Sequence, residues 1–118
     1  MGPPFIYQGQ EIGMTNLYWN DIRKYDDIET INYYNEEISK GSDKNEIMEK
    51  IMTKSRDNAR TPMQWDESKY AGFSNIKPWI DVNDNYLSIN VLSQLNDKDS
   101  ILNYYKNMIK LRKKYEVF

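Results

Sequence analysis

Cysteine is absent from the 118 residues, and so is histidine. The first absence excludes disulfides and thiolate catalysis; the second removes the commonest metal ligand and the commonest general base. Carboxylates are the acid–base groups that remain. An excess of one charge is lacking too: 16 Lys and Arg stand against 18 Asp and Glu, for a net charge of −2. The two signs interleave, so no basic face suggests nucleic acid and no polybasic run suggests a membrane surface. Apolar runs fall far short of a membrane span, and the N-terminus lacks the charged-then-apolar layout of a signal peptide. A soluble, cytoplasmic protein is the expectation.

Apolar residues make up 39% of the chain even with tyrosine counted. The mean hydropathy of −0.88 is equally lean for a self-sufficient core. A chain of this length is one small domain or a piece of a larger one. Folding alone, it would bury roughly two-thirds of its unfolded surface. Ten tyrosines and three tryptophans are many for so polar a sequence. Rings with a polar edge suit half-buried positions and ligand platforms alike.

One stretch concentrates polar chemistry: Arg56-Asp57-Asn58-Ala59-Arg60-Thr61-Pro62-Met63-Gln64-Trp65. On a helical turn Arg56 and Arg60 share a face, with Asp57 and Asn58 beside them. Pro62 disfavours the helical region for Thr61 and ends any helix there. Spacing alone leaves two readings open: a capped helix end whose charges hold one another in water, or a polar wall that faces a ligand.

In chain order, Pro3-Pro4 precede a very short strand, Phe5-Ile6-Tyr7, apolar on both sides as in a covered parallel sheet. Such a strand must join a sheet whose other strands lie outside this sequence. Residues 15–27 read as an ordered surface loop. Asp26 or Asp27 then caps a helix over about Ile28 to Lys40, with Ile28, Ile31, Tyr34 and Ile38 as its apolar stripe and Gly41 as its stop. Ser42 or Asp43 caps a second helix over about Lys44 to Ser55, burying Ile47, Met48, Ile51 and Met52. Residues 66–85 are irregular and long for a loop, with Tyr70, Phe73, Trp79 and Ile80 as anchors. Tyr86 to Leu92 reads as a short extended segment. Asp97 or Asp99 caps a last helix from about Ser100 to Tyr115, striped by Ile101, Leu102, Tyr105, Met108, Ile109 and Leu111. Its Lys110, Arg112, Lys113 and Lys114 match the helix dipole rather than a nucleic acid. Strand, long loop and closing helix make one unit of an α/β protein, and in barrels of this kind chemistry sits on the loops that follow strands.

Gly2-x-Pro4-x-x-Tyr7-x-Gly9-x-Glu11 resembles the eighth-strand signature of the α-amylase family, glycoside hydrolase family 13. Ile12-Gly13-Met14-Thr15-Asn16 and the Arg56–Trp65 run resemble its α-glucosidase and oligo-1,6-glucosidase branch, as do Tyr70-Ala71-Gly72-Phe73, Pro78-Trp79-Ile80, Val82-Asn83 and Ile89-Asn90-Val91. The motifs keep order and spacing over essentially the whole chain. Pro3 stands where this branch usually has Thr, and Gln10 where Glu is frequent.

The resemblance implies the end of a (β/α)8 TIM barrel: an eighth strand and its exit over residues 1–14, a long helical loop over 15–96, and a closing helix over 97–118. It implies a retaining α-glucosidase acting on a small oligosaccharide, whose nucleophile, proton donor and third aspartate fall upstream of Met1. The chain then supplies subsite walls and no catalytic carboxylate. Arg60 matches a substrate-contacting arginine, and Glu29 an acidic residue that approaches it. Arg56 and Asp57 match residues that brace the loop. Buried hydrogen bonding is the expected work of Tyr7 and Glu11. Loop packing rather than sugar stacking is the preferred role of Trp65 and Trp79. No cofactor and no metal are assigned to these residues. Trehalose-6-phosphate hydrolase and dextran glucosidase share most of the motifs, whereas trehalose synthase usually lacks the Asn58-Ala59 pair. A non-catalytic carbohydrate-binding or interaction module is the rival from another class. Barrel-facing surface left open would make the chain self-associate.

Overall fold

The computed structural model describes residues 2–115. Met1 of the expected strand segment and residues 116–118 of the expected closing segment lie outside the described residues. The chain divides into two compact units, one of residues 1–14, 63–75 and 84–118, the other of residues 15–62 and 76–83.

The second unit is built on helices α1 (Ile28–Ser39) and α2 (Lys44–Lys54). Asp43 starts α2 by accepting hydrogen bonds from the backbone N–H groups of Asn45 (2.9 Å) and Glu46 (3.1 Å), two of the donors a helix start leaves orphaned. Between the helices Gly41 takes φ +82°, left-handed backbone that closes α1 at little steric cost to glycine. Ile47, Met48 and Ile51 are buried and pack in one cluster with Leu17, Trp19, Tyr25 and Ile80. Each such aliphatic side chain contributes about 1.5–3 kcal/mol on full burial. Trp19 and Tyr25 meet edge to face at 6.1 Å, and the Tyr25 hydroxyl donates to the Trp19 carbonyl at 3.1 Å.

The stripe expected on α1 packs only in its middle, where Ile31 is half-buried and Tyr34 meets the core. Ile28 and Ile38 are exposed, while Thr30 is buried and Tyr33 and Tyr34 lie against the core. Asp27 occupies the N-cap position but makes no side-chain cap hydrogen bond there; its carboxylate is tied to Arg56 instead.

In the first unit, the extended segment expected over Tyr86–Leu92 is instead the end of a 3-10 turn (Asp84–Leu87) and the start of helix α3 (Val91–Leu95). Asn90 is buried and accepts from the Ser93 N–H at 2.8 Å, so it caps a helix rather than diluting a strand. Gln64 fixes the approach: its Nε2 donates to the Ile89 carbonyl (2.6 Å) and to Asn85 Oδ1 (3.1 Å), and its backbone carbonyl accepts from Val91. Helix α4 (Ile101–Lys114) is capped by Ser100, which accepts from Asn103 N–H at 3.2 Å. Neither expected cap, Asp97 or Asp99, holds the N-cap position, which falls to Ser100; Asp97 Oδ1 accepts from the Asp99 N–H instead. Gln94 joins the pieces, donating to the Ile12 carbonyl (2.8 Å) and accepting from Leu102 N–H (3.1 Å).

No strand forms among the described residues, so the segment expected as a strand at Phe5–Tyr7 stands here without a ladder. Phe5 is 92% exposed and Tyr7 58% exposed. A strand exists through its ladder, and no second strand is present to pair with. Tyr7 is therefore not the buried ring expected of it. Glu11 is half-buried, with one carboxylate oxygen, Oε2, buried and unpartnered. Among the loop anchors Ile80 is buried, but Trp65 and Trp79 are 47% and 70% exposed and do not pack the loop as expected. No helix of the described residues is long and apolar enough to cross a membrane.

Candidate functional site

After α2 the chain tightens into a short 3-10 turn, Arg56–Ala59, in which Ser55 Oγ accepts from the Asp57 N–H at 3.3 Å. This turn drives Asp57 inward until it has no exposed surface. Its Oδ2 accepts from the backbone N–H groups of Asp26 (2.8 Å) and Asp27 (2.9 Å), across some thirty residues of sequence. Asn58 ties down the same turn, accepting from Leu17 N–H (2.8 Å) and donating to the Met52 carbonyl (3.0 Å).

Asp57 thereby presents its neighbour. Asp27, 3% exposed, receives Arg56 through Nη2 (2.6 Å) and Nε (3.1 Å) on Oδ1, while Thr30 Oγ1 lies 3.0 Å from Oδ2. The fork geometry suits a guanidinium and a carboxylate. The Arg56 hydrogen bonds, ahead of the opposing cost of burial, lower the Asp27 carboxyl to a pKa of about 2. Arg60 Nη1 stands 3.5 Å from Asp57 Oδ1 and 3.8 Å from Asp27 Oδ1. Both arginines thus converge on Asp27, and each keeps 40–47% of its side chain open to solvent. Glu29, one turn into α1 and 73% exposed, reaches Arg56 Nη1 at 3.5 Å.

The four residues expected from sequence are brought into one cluster: Arg56, Asp57, Arg60 and Glu29. Their pairing differs from the expectation, because Glu29 meets Arg56 while Arg60 rests on Asp27 and Asp57. The hub is a residue the sequence did not single out for this work. Asp27 read as a helix cap, and its tie to Arg56 spans 29 positions, beyond any local signal. Chemically the cluster is a rim of partly open guanidinium donors and one open carboxylate acceptor, backed by two buried carboxylates that hold the donors still. Such a rim can grip vicinal hydroxyls or another carboxylate. Among the described residues no three Asp or Glu side chains gather as a metal site would require.

The family model "Alpha amylase, catalytic domain" matches residues 1–118. The oligo-1,6-glucosidase of Parageobacillus thermoglucosidasius is 55% identical over 117 residues, 98% of this chain and 21% of that protein. The glucan 1,6-alpha-glucosidase of Streptococcus pneumoniae serotype 4 is 52% identical over 112 residues, 95% of this chain and 21% of that protein. In three dimensions the chain superposes on the crystal structure of Bacillus licheniformis trehalose-6-phosphate hydrolase with a TM-score of 0.96 at 47% identity, covering 98% of this chain and 21% of that one. The chain spans about a fifth of the length of the curated relatives it matches.

Proposed function

This chain belongs to the alpha-amylase catalytic-domain family, and on that premise we propose that it forms a saccharide-facing wall of a retaining α-glucosidase acting on short α-glucosides. In this reading residues 1–14 are the eighth strand and exit of a (β/α)8 barrel, 15–96 the loop above it and 97–118 the closing helix, with the site on the loop. The α-1,6 linkage is the preferred bond, in keeping with the names of the oligo-1,6-glucosidase and glucan 1,6-alpha-glucosidase relatives. A cytoplasmic location belongs to the same proposal.

The observation that carries it is the convergence of Arg56 and Arg60 on buried Asp27, with Glu29 open beside them. A surface ion pair is worth little and needs no buried backing. Here Asp57 is fully buried to fix the backbone that carries Asp27, an arrangement that immobilises donors which remain accessible. Arg60 is the substrate contact, Glu29 the acceptor at the rim, and Arg56 and Asp57 the braces.

Bond cleavage falls to carboxylates elsewhere. A retaining mechanism needs a carboxylate nucleophile and a carboxylic acid proton donor, and the family resemblance places both before the stretch that this chain matches. The 118-residue chain should therefore show no turnover of an aryl α-glucoside; turnover surviving repurification would sink the proposal. Titrated with isomaltose and followed by backbone amide shifts, it should respond around Arg60, and Arg60→Lys should weaken that response by about tenfold, the loss of one charge-assisted hydrogen bond. An unchanged titration would return Arg60 to a purely structural role. A second reading, a trehalose-6-phosphate hydrolase, draws on the TM-score of 0.96 to that enzyme. A non-catalytic binding module would show the same isomaltose response.

A further inference from the structure

A cleft of about 240 Å³ opens between α1 and α2 beside the arginine cluster, whose Asp27, Glu29 and Arg56 form part of its wall. Its volume lies below the roughly 300–1,000 Å³ of sites for drug-sized ligands, so it admits one ring rather than a chain. Buried Ile51 and half-buried Tyr33 give it an apolar lining, extended by the stems of Lys50 and Lys54. Lys50 and Lys54, one helical turn apart, line the same cleft as Arg56 and Glu29, which pair at 3.5 Å. Neither lysine has a carboxylate within ion-pair distance among the described residues.

A purely cationic rim would select an anion. This rim mixes donors with an acceptor around an aromatic and aliphatic interior, which matches a neutral polyol: hydroxyls at the edge and a C–H face for the ring. We propose that the α1–α2 cleft is an accessory subsite for one neutral pyranose unit, adjoining the Arg60 contact and sharing Arg56 and Glu29 with it. Tyr33, Lys50 and Lys54 are its own residues, and its occupant is a sugar unit distant from the bond that is cleaved. The inference rests on the saccharide reading above and assigns it a chain-length preference.

The test is a backbone amide titration of the full chain with isomaltotriose, with inorganic phosphate as the comparison probe. Isomaltotriose should shift Thr30, Tyr33, Ile51 and Lys54 in a saturable way. Tyr33→Ala should weaken that response by about five- to tenfold, the worth of one ring contact. Lys54→Met, which keeps the aliphatic stem and so the packing, should weaken it without disturbing the rest of the spectrum. Sugar-induced shifts confined to the surroundings of Arg60 would overturn the subsite and leave the wider saccharide reading standing. Phosphate moving the same four amides at lower concentration than the sugar would overturn it in favour of an anion site. Silence at both places would overturn both.

Discussion

Asp27 governs the cluster, and its ionisation makes that testable. Its folded pKa of about 2 is held down chiefly by the Arg56 hydrogen bonds, against an unfolded value of about 3.9. A carboxyl depressed on folding binds fewer protons in the native state, so stability rises with pH through this window. The contribution is fully present above about pH 4 and is lost as pH falls through about 2. Asp27→Asn should therefore lower the thermal midpoint at pH 6, and the gap between variant and parent should close near pH 2. A gap of equal size at both values would show that the charge is not what holds Arg56. Asp57 is a different case. Its carboxylate caps two backbone N–H groups, and leaving such buried donors unpaired costs about 1–3 kcal/mol each. The sequence made Arg56, Asp57 and Arg60 conspicuous by composition. It left Asp27 inconspicuous, because a carboxylate before a helix reads as a cap until a partner 29 positions away claims it.

Among the elements, α2 was legible because its cap and its buried stripe agree: Asp43 at the start, then Ile47, Met48 and Ile51 inward. Helix α1 was legible in extent and in the middle of its inward face, but Ile28 and Ile38 at its two ends stay exposed. Helix α3 was not legible. Its five residues are too few to establish a helical period, and Leu87, Ile89 and Val91 around Ser88 and Asn90 mimic alternation. Asn90 decides the matter through its cap, so Asn90→Ala should cost about 1 kcal/mol, the usual worth of an N-cap, read as a lower midpoint in urea. An unchanged midpoint would place the stability of this segment in the Gln64 hydrogen bonds alone.

At the scale of the whole molecule, what stands out is apolar surface without cover. Pro4, Phe5 and Ile6 together with Met108 and Ile109 border a groove of about 300 Å³ within the first unit. Phe5, Ile101, Met108, Ile109 and Leu111 are all exposed. Surface of this kind drives association in water. Sedimentation velocity on the full chain should show concentration-dependent self-association, and Met108→Lys with Ile109→Lys should shift it towards monomer. A monomer at every concentration would mean the groove is too small to bind a second copy.

Composition, capping residues and motif order determined the family, the positions of α1, α2 and α4, and the polar character of the 56–65 stretch, because each rests on neighbours within a few residues. Only the tertiary structure decided which carboxylate holds which arginine, which part of the α1 stripe packs, and that Phe5–Tyr7 remains without a ladder. Those outcomes depend on groups that meet across tens of residues, or on a pairing strand that the sequence does not supply.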